Sequence, residues 1–108
     1  MAIGFPARWC ETRDMDRPKA LLREVAQAAF EILGWRGVEV AGEGFRVKVS
    51  LSLWSWGERV VVRIDRGRVA CESRCVVGVF DWGKNRENVE SFFAALDAAL
   101  DASDGIVA

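Results

Sequence analysis

One short segment of the chain places several chemically capable side chains next to each other. This segment, the 81–85 loop, contains Asp81, Trp82, Gly83, Lys84 and Asn85. Lysine and carboxylate groups can act as acids, bases or anion ligands when burial perturbs their pKa values, and amides at a helix N-terminus favour anions. A structural role also fits: an aspartate accepts loop backbone hydrogens, a glycine takes a positive φ, and an asparagine caps a helix. The structural role is favoured, because a phosphate-cradling loop needs more than one glycine.

The composition excludes most familiar hydrolase sites. The 108 residues include no His, so no Ser-His-Asp or Cys-His nucleophile and no imidazole metal ligand can form. Cys10, Cys71 and Cys75 show no CxxC spacing and lack a fourth zinc ligand. In a strand, Cys71 and Cys75 would share a face with Val69 and Ser73, where small core side chains belong. We therefore predict no metal, no cofactor and no disulfide framework.

The sequence predicts two amphipathic helices, one before the strands and one directly after the 81–85 loop. The first begins near Arg17, after candidate N-caps, and ends at Gly34, with apolar residues every three or four positions. The second begins with Asn85 as its N-cap, carries Glu87 in its first turn and reaches its limit at Gly105.

Between the helices the hydrophobic period changes from 3.6 to 2, which is typical of strands buried on one face. The alternation predicts strands over residues 37–40, 45–54, 59–65 and 68–75. Residues 5–12 are expected to add an edge strand, because Pro6 lacks a ladder donor. The predicted fold is α+β: a four- to five-stranded, largely antiparallel sheet with two helices packed on one face, in the order (β)αββββα, as one domain over residues 1–108.

Charge is distributed unevenly along a chain whose net charge is −1. Residues 44–75 contain seven Arg or Lys against three Asp or Glu, whereas residues 85–108 contain one against five. The strand alternation predicts that the cations project from the sheet face opposite the helices. Trp54, at a hairpin end, is expected to project from the same face. The predicted interaction surface consists of Trp54, Trp56, Arg46, Lys48, Arg59, Arg63 and Arg74.

Protein contact is the favoured use of this surface. Arg and Trp are enriched among the residues that dominate binding energy, and an exposed pair of tryptophans is costly to leave in water. The partner is expected to be an unknown protein or a second copy of the chain. In the second case the acidic last helix of one copy would match the basic sheet of another.

Two other uses remain open. A small-molecule pocket could lie between the helices and the sheet, lined by Trp35, Phe30, Phe45, Phe92 or Phe93, although such rings also fill an ordinary core. Nucleic-acid binding ranks third, because basic sheets with aromatic residues bind phosphates and bases, whereas the overall pI of 5.5 is too low for a dedicated binder.

The C-terminal half resembles two groups of bacterial proteins. Segments 53–58, 72–75 and 81–89 resemble small uncharacterised proteins that carry a DWGKN-type loop before their last helix. A larger uncharacterised family is similar at Ser73, Arg74, Asp81, Gly83, Asn85 and Arg86. The resemblance implies a domain of unknown function in which the 81–85 loop is a signature. It brings no catalytic role, and a contact between Arg74 and Asp81 would be a structural pair.

The sequence predicts a protein that stays outside membranes. Its longest uncharged stretch, residues 49–57, is far shorter than the roughly 18 apolar residues of a membrane-spanning helix, and the start of the chain lacks a secretory apolar region. We therefore expect a cytoplasmic location. The predicted function is a non-enzymatic protein-interaction module, as a homodimer or with another protein; an enzyme using Asp81 and Lys84 is less favoured.

Overall fold

The described residues form one antiparallel sheet, with one helix between the first two strands and a second helix after the last strand. The computed structural model describes residues 8–49, 58–75 and 84–107. Within these ranges the elements are β1 (Arg8–Asp14), α1 (Lys19–Leu33), β2 (Glu39–Ala41), β3 (Gly44–Val49), β4 (Glu58–Asp65), β5 (Arg68–Cys75) and α2 (Lys84–Val107). The five described strands pair antiparallel in the spatial order β1-β5-β4-β3-β2. The predicted α+β fold and its element order are confirmed.

One face of the sheet is covered by the helices and the other is open. α2 contacts β5, β1 and β4, while α1 contacts α2 and β4. Alternate strand residues point toward the helices and are buried, as the period of two predicts. The buried strand residues on the covered face are Phe45, Val47, Val49, Val60, Val62, Ile64, Val69, Cys71 and Ser73. The opposite side of the sheet is called the open face below.

Four phenylalanines join the helices to the sheet. Phe30 of α1 lies with its ring centroid 5.5 Å from that of Phe45 in β3 and 5.6 Å from that of Phe92 in α2. Phe93 lies edge-on to Phe92 at 5.4 Å, and Trp35 stacks at the margin of this group. All four phenylalanines are essentially inaccessible to solvent, so they form the centre of the core.

Helix α1 begins at Lys19, two residues after the predicted start at Arg17, and Pro18 occupies the N-cap position without a side-chain cap. A proline there leaves no backbone N–H unsatisfied. The helix ends at Gly34 as predicted. At its start, Lys19 forms an ion pair with Glu43 of the β2–β3 turn, and this hydrogen-bonded ammonium group holds the pKa of Glu43 below its ordinary value.

Helix α2 differs from the prediction at both ends. It begins at Lys84, so Asn85 lies inside the first turn and the prediction that it is the N-cap is wrong. The reason is tertiary, because the Asn85 side chain is buried and hydrogen-bonded to Ser73 of β5. At the other end the helix passes through Gly105 to Val107, since one glycine costs a helix only about 1 kcal/mol.

Strand boundaries also shift by a few residues. β2 begins at Glu39, two residues after the predicted start, because Gly37 has a φ of +70° that extended backbone does not allow. β1 continues to Asp14, two residues beyond the prediction, where it pairs with Arg68 of β5. β3 is described to Val49, and the rest of the predicted strand, residues 50–54, lies outside the described residues.

Candidate interaction surface

The predicted cations are exposed on the open face. Arg46 and Lys48 project from β3, Arg59 and Arg63 from β4, and Arg74 from β5. Where the side chains next to these residues along the strand are described, they are buried in the core, so the alternation that buries one set exposes the other. These five residues are thus exposed on the open face, and their use as an interaction surface stays a prediction.

The sheet register aligns cations of neighbouring strands at one end of the open face. Arg74 lies opposite Arg8 of β1 on one side and opposite Arg59 of β4 on the other. Arg59 in turn lies opposite Lys48 of β3. We call these four register positions the cationic row. Because adjacent strands are about 4.8 Å apart, the row spans about 14 Å, and like charges directly opposite each other destabilise a sheet.

Most of these cations lack an ion-pair partner among the residues that the structure describes. Arg74 pairs with Glu72 at 3.1 Å, and Arg68 at the far end of the face pairs with Asp14 at 3.0 Å. No described residue forms an ion pair with the remaining open-face cations, which are Arg46, Lys48, Arg59 and Arg63. The open face therefore presents positive charge that its own carboxylates do not neutralise.

A shallow apolar depression lies beside the row. It has a volume of about 60 Å³ and is lined by Cys10, Val61, Arg63, Ala70 and Glu72. Small side chains of three adjacent strands form its floor, because the register places Cys10 next to Glu72 and Glu72 next to Val61. The sequence prediction missed this feature, since it depends on which strands are neighbours. The depression thus combines small apolar side chains with one cation and one carboxylate, Arg63 and Glu72, and an apolar centre with a polar border is common in protein interfaces.

The tryptophans and most of the 81–85 loop lie outside the described residues. This applies to Trp54 and Trp56 of the predicted interaction surface, and to Asp81, Trp82 and Gly83. The expected contact between Arg74 and Asp81 is outside them as well. Lys84 is described only as the first residue of α2.

Ser73 and Asn85, two of the residues on which the sequence resemblance rests, meet in a buried hydrogen-bond network. The Ser73 hydroxyl donates to Oδ1 of Asn85 at 2.7 Å and accepts from Nδ2 of Asn88 at 3.1 Å. All three side chains are buried, so each hydrogen bond replaces water that the group has lost. Sequence reasoning missed Asn88, and the only signal was a polar residue on the apolar side of a helix. The network fixes the start of α2 on β5.

Arg86, another residue on which the sequence resemblance rests, contacts Trp9 and Glu90. The Arg86 guanidinium lies 5.1 Å from the centroid of the Trp9 ring and donates to Glu90 at 2.8 Å. Arg74 likewise pairs within its own strand. These contacts hold Arg86 and Arg74 beside neighbouring residues, and the structural role expected of the 81–85 loop stays a prediction.

The aromatic residues considered as pocket lining pack against one another in the core. Phe30, Phe45, Phe92 and Phe93 are buried and in ring contact, while Trp35 is partly buried beside them. The depressions described on the surface are lined by other residues. Nothing in the described part of the chain separates these rings to admit a ligand.

The described cysteines differ in environment. Cys71 is buried in the core, as predicted, and Cys10 is exposed on the open face; both are free thiols. Burial raises the pKa of the Cys71 thiol well above its ordinary value, which leaves it protonated and unreactive at neutral pH. The side chain of Cys75 is outside the described residues. Among the residues that the structure describes, no three His, Cys, Asp or Glu side chains group as metal ligands.

Two comparisons with known proteins found no match for this chain. No protein-family model matches this chain, and a search of curated proteins found no relative. Within the described ranges no helix combines the length and apolar character needed to span a membrane.

Proposed function

We propose that the protein is a non-enzymatic, cytoplasmic interaction module whose open face binds an acidic surface of a partner protein. The observation that carries this proposal is a group of four exposed cations on the side of the sheet opposite the helices, Arg46, Lys48, Arg59 and Arg63, none of which forms an ion pair with a described residue. Arg63 also lines the small depression on this face. Trp54 and Trp56 belong to the proposed surface on sequence grounds alone.

An acidic partner would relieve an unfavourable feature of the free protein. Lys48 and Arg74 flank Arg59 on neighbouring strands, and of these three cations Arg74 alone forms an ion pair with a described residue. The repulsion between them is therefore only partly compensated in the described part of the chain. Carboxylates laid over the row would turn this repulsion into attraction, and the low side chains of Val61 and Ala70 would let a partner approach closely. Charge of one sign also accelerates encounter with a partner of the opposite sign.

A protein partner fits the open face better than nucleic acid. Binding of single strands uses aromatic side chains in the middle of the sheet, and the described outward positions of β3, β4 and β5 hold none. Carboxylates are also interspersed on this face, including Glu72 beside the row and Glu39 opposite Arg46. Mixed charge around an apolar centre is typical of protein interfaces, whereas phosphate binding favours uniform positive charge.

The proposal predicts that Arg59→Glu removes the partner. The substitution places a carboxylate in the middle of the cationic row, where it repels an acidic partner. We expect affinity capture from an extract of the source cells to retain the partner about tenfold less well, the loss that corresponds to about 1.4 kcal/mol. The variant should remain folded, because its carboxylate lies between Lys48 and Arg74 and forms favourable cross-strand pairs.

Arg36→Glu is the matched control for this experiment. Arg36 is exposed and lies in the connection between α1 and β2, off the open face, and its replacement changes the net charge equally. Proteins retained by the wild type and by the control, and lost with Arg59→Glu, would support the proposal. Capture that is equal for both variants would contradict it. Salt-sensitive oligonucleotide binding that is lost in Arg46→Glu with Arg63→Glu would instead establish nucleic acid as the ligand.

A further inference from the structure

We propose that the acidic partner is the outer face of α2 in a second copy of this chain, so that copies associate head to tail. This inference rests on the proposed function of the open face and names its partner. It is argued from the charge, the side-chain size and the placement of α2.

The exposed side of α2 carries an acidic stripe. Glu87, Glu90, Asp97 and Asp101 are all exposed, and their spacing, with Ala94 in the middle, follows the alternating three- and four-residue steps of one helix face. The residues that α2 buries, such as Phe92 and Leu96, lie on its other side. The stripe therefore faces away from the sheet.

Cations at the edge of the stripe neutralise it only in part. Arg86 donates to Glu90 at 2.8 Å, and Arg13 of β1 lies 3.7 Å from Asp97. Both pairs are largely solvent-exposed and contribute little to stability. Asp101 has no ion pair with a described residue. Cations of another molecule can therefore pair with Asp101 and compete for Glu90 and Asp97, whose present ion pairs are exposed and weak.

The two faces also match in shape and size. Ala94 and Ala98 are exposed between the carboxylates, which leaves a low surface along the outer side of α2. The open face offers a low surface of its own at Val61 and Ala70. A helix rises 1.5 Å per residue, so the acidic stripe extends over about 21 Å, which exceeds the span of about 14 Å across the four strands of the cationic row. Alanines seated on the depression would bring carboxylates to the cations on both sides.

The position of the two faces determines the type of assembly. α2 lies on the covered side of the sheet and the cationic row lies on the opposite side. A copy that uses its open face to bind one neighbour therefore keeps its α2 stripe free for another. Such a contact is heterologous, and it produces rings or open chains of copies rather than a closed two-fold dimer.

Sedimentation velocity tests this inference directly. At about 50 mM salt the wild type should form species larger than a dimer as its concentration rises from about 1 µM to about 500 µM, and at about 500 mM salt these species should dissociate, because screening weakens attraction between exposed charges. A wild type that stays monomeric across this range at low salt would overturn the inference. The capture experiment would then still decide the proposed function separately, through a different acidic protein.

Two complementary variants identify the faces. One carries Arg59→Glu and Arg63→Glu on the open face, and the other carries Asp97→Lys and Asp101→Lys on α2. Each variant alone is expected to be monomeric at neutral pH, because its open face and its α2 stripe then carry charge of the same sign and repel each other between copies. Their equimolar mixture should assemble again, because the intact α2 of one variant meets the intact open face of the other, and the two reversed faces also carry opposite charges.

A control on α1 separates the role of α2 from general charge effects. Glu24→Lys with Glu31→Lys changes the same net charge on exposed positions of α1 and should assemble like the wild type. Circular dichroism confirms that each variant is folded. A mixture of the two complementary variants that remains monomeric, or an α1 variant that no longer assembles, would overturn the assignment of α2 as the docking face.

Discussion

Phe30→Ala is expected to lower the free energy of unfolding by about 4 kcal/mol, the usual effect of removing a buried aromatic ring. Phe30 is 2% exposed, and its ring lies between α1, β3 and α2, in contact with Phe45 and Phe92. Its loss leaves a cavity where the helix layer meets the sheet. Equilibrium unfolding in urea, followed by circular dichroism, measures the change from the shift in midpoint and the slope.

Ile32→Ala is the matched control on the same helix. Ile32 is two residues away and 61% exposed, so its truncation should change the free energy of unfolding by no more than about 0.5 kcal/mol. A Phe30→Ala variant as stable as the Ile32→Ala variant would contradict the described core, because it would mean that Phe30 is not enclosed by α2 and the sheet.

Gly44→Ala is expected to lower the free energy of unfolding by about 3 kcal/mol, at the upper end of the usual effect of overpacking. Gly44 is buried where β3 pairs with β4. A Cβ at this position would lie 1.8 Å from the carbonyl oxygen of Val62 and 2.9 Å from Cα of Arg63. Backbone atoms cannot rotate away as a side chain can, so the two strands must separate. Thermal and urea unfolding both measure the loss.

Gly42→Ala separates this collision from the general effect of replacing a glycine. Gly42 lies two residues earlier, in the turn, and an added Cβ meets no atom within 4 Å. Its φ of +56° makes an alanine there cost only about 1 kcal/mol. Equal destabilisation by both substitutions would contradict the close approach of β3 and β4 at Gly44, and with it the spacing of the cations that these strands carry.

The fold was largely predictable because it depends on local patterns. Alternation along β4 distinguishes Val60 and Val62, which point to the core, from Arg59 and Arg63, which do not. Hairpin connections then make β2 to β5 antiparallel neighbours in chain order. Each of these features is set by residues that are close together in the sequence, where period and turn residues determine the structure.

The arrangement of the site depends on contacts that the sequence pattern does not specify. β1 pairs with β5 rather than with an element next to it in the chain, and only this pairing places Arg8 in line with Arg74 and Cys10 beside Glu72. The start of α2 shows the same limit. A polar residue at a helix start is usually a cap, but Asn85 is buried because Ser73, twelve positions earlier, supplies its hydrogen-bond partner.

Chemical modification of arginines tests most directly whether the open face is the surface that binds the partner. Phenylglyoxal reacts with exposed guanidinium groups, and mass spectrometry of peptides gives the rate for each arginine in the free protein and in the recovered complex. We predict that Arg46, Arg59 and Arg63 become several-fold less reactive in the complex while Arg36 keeps its rate. Unchanged rates at these three open-face arginines in an intact complex would show that the partner binds elsewhere and would contradict binding by the open face.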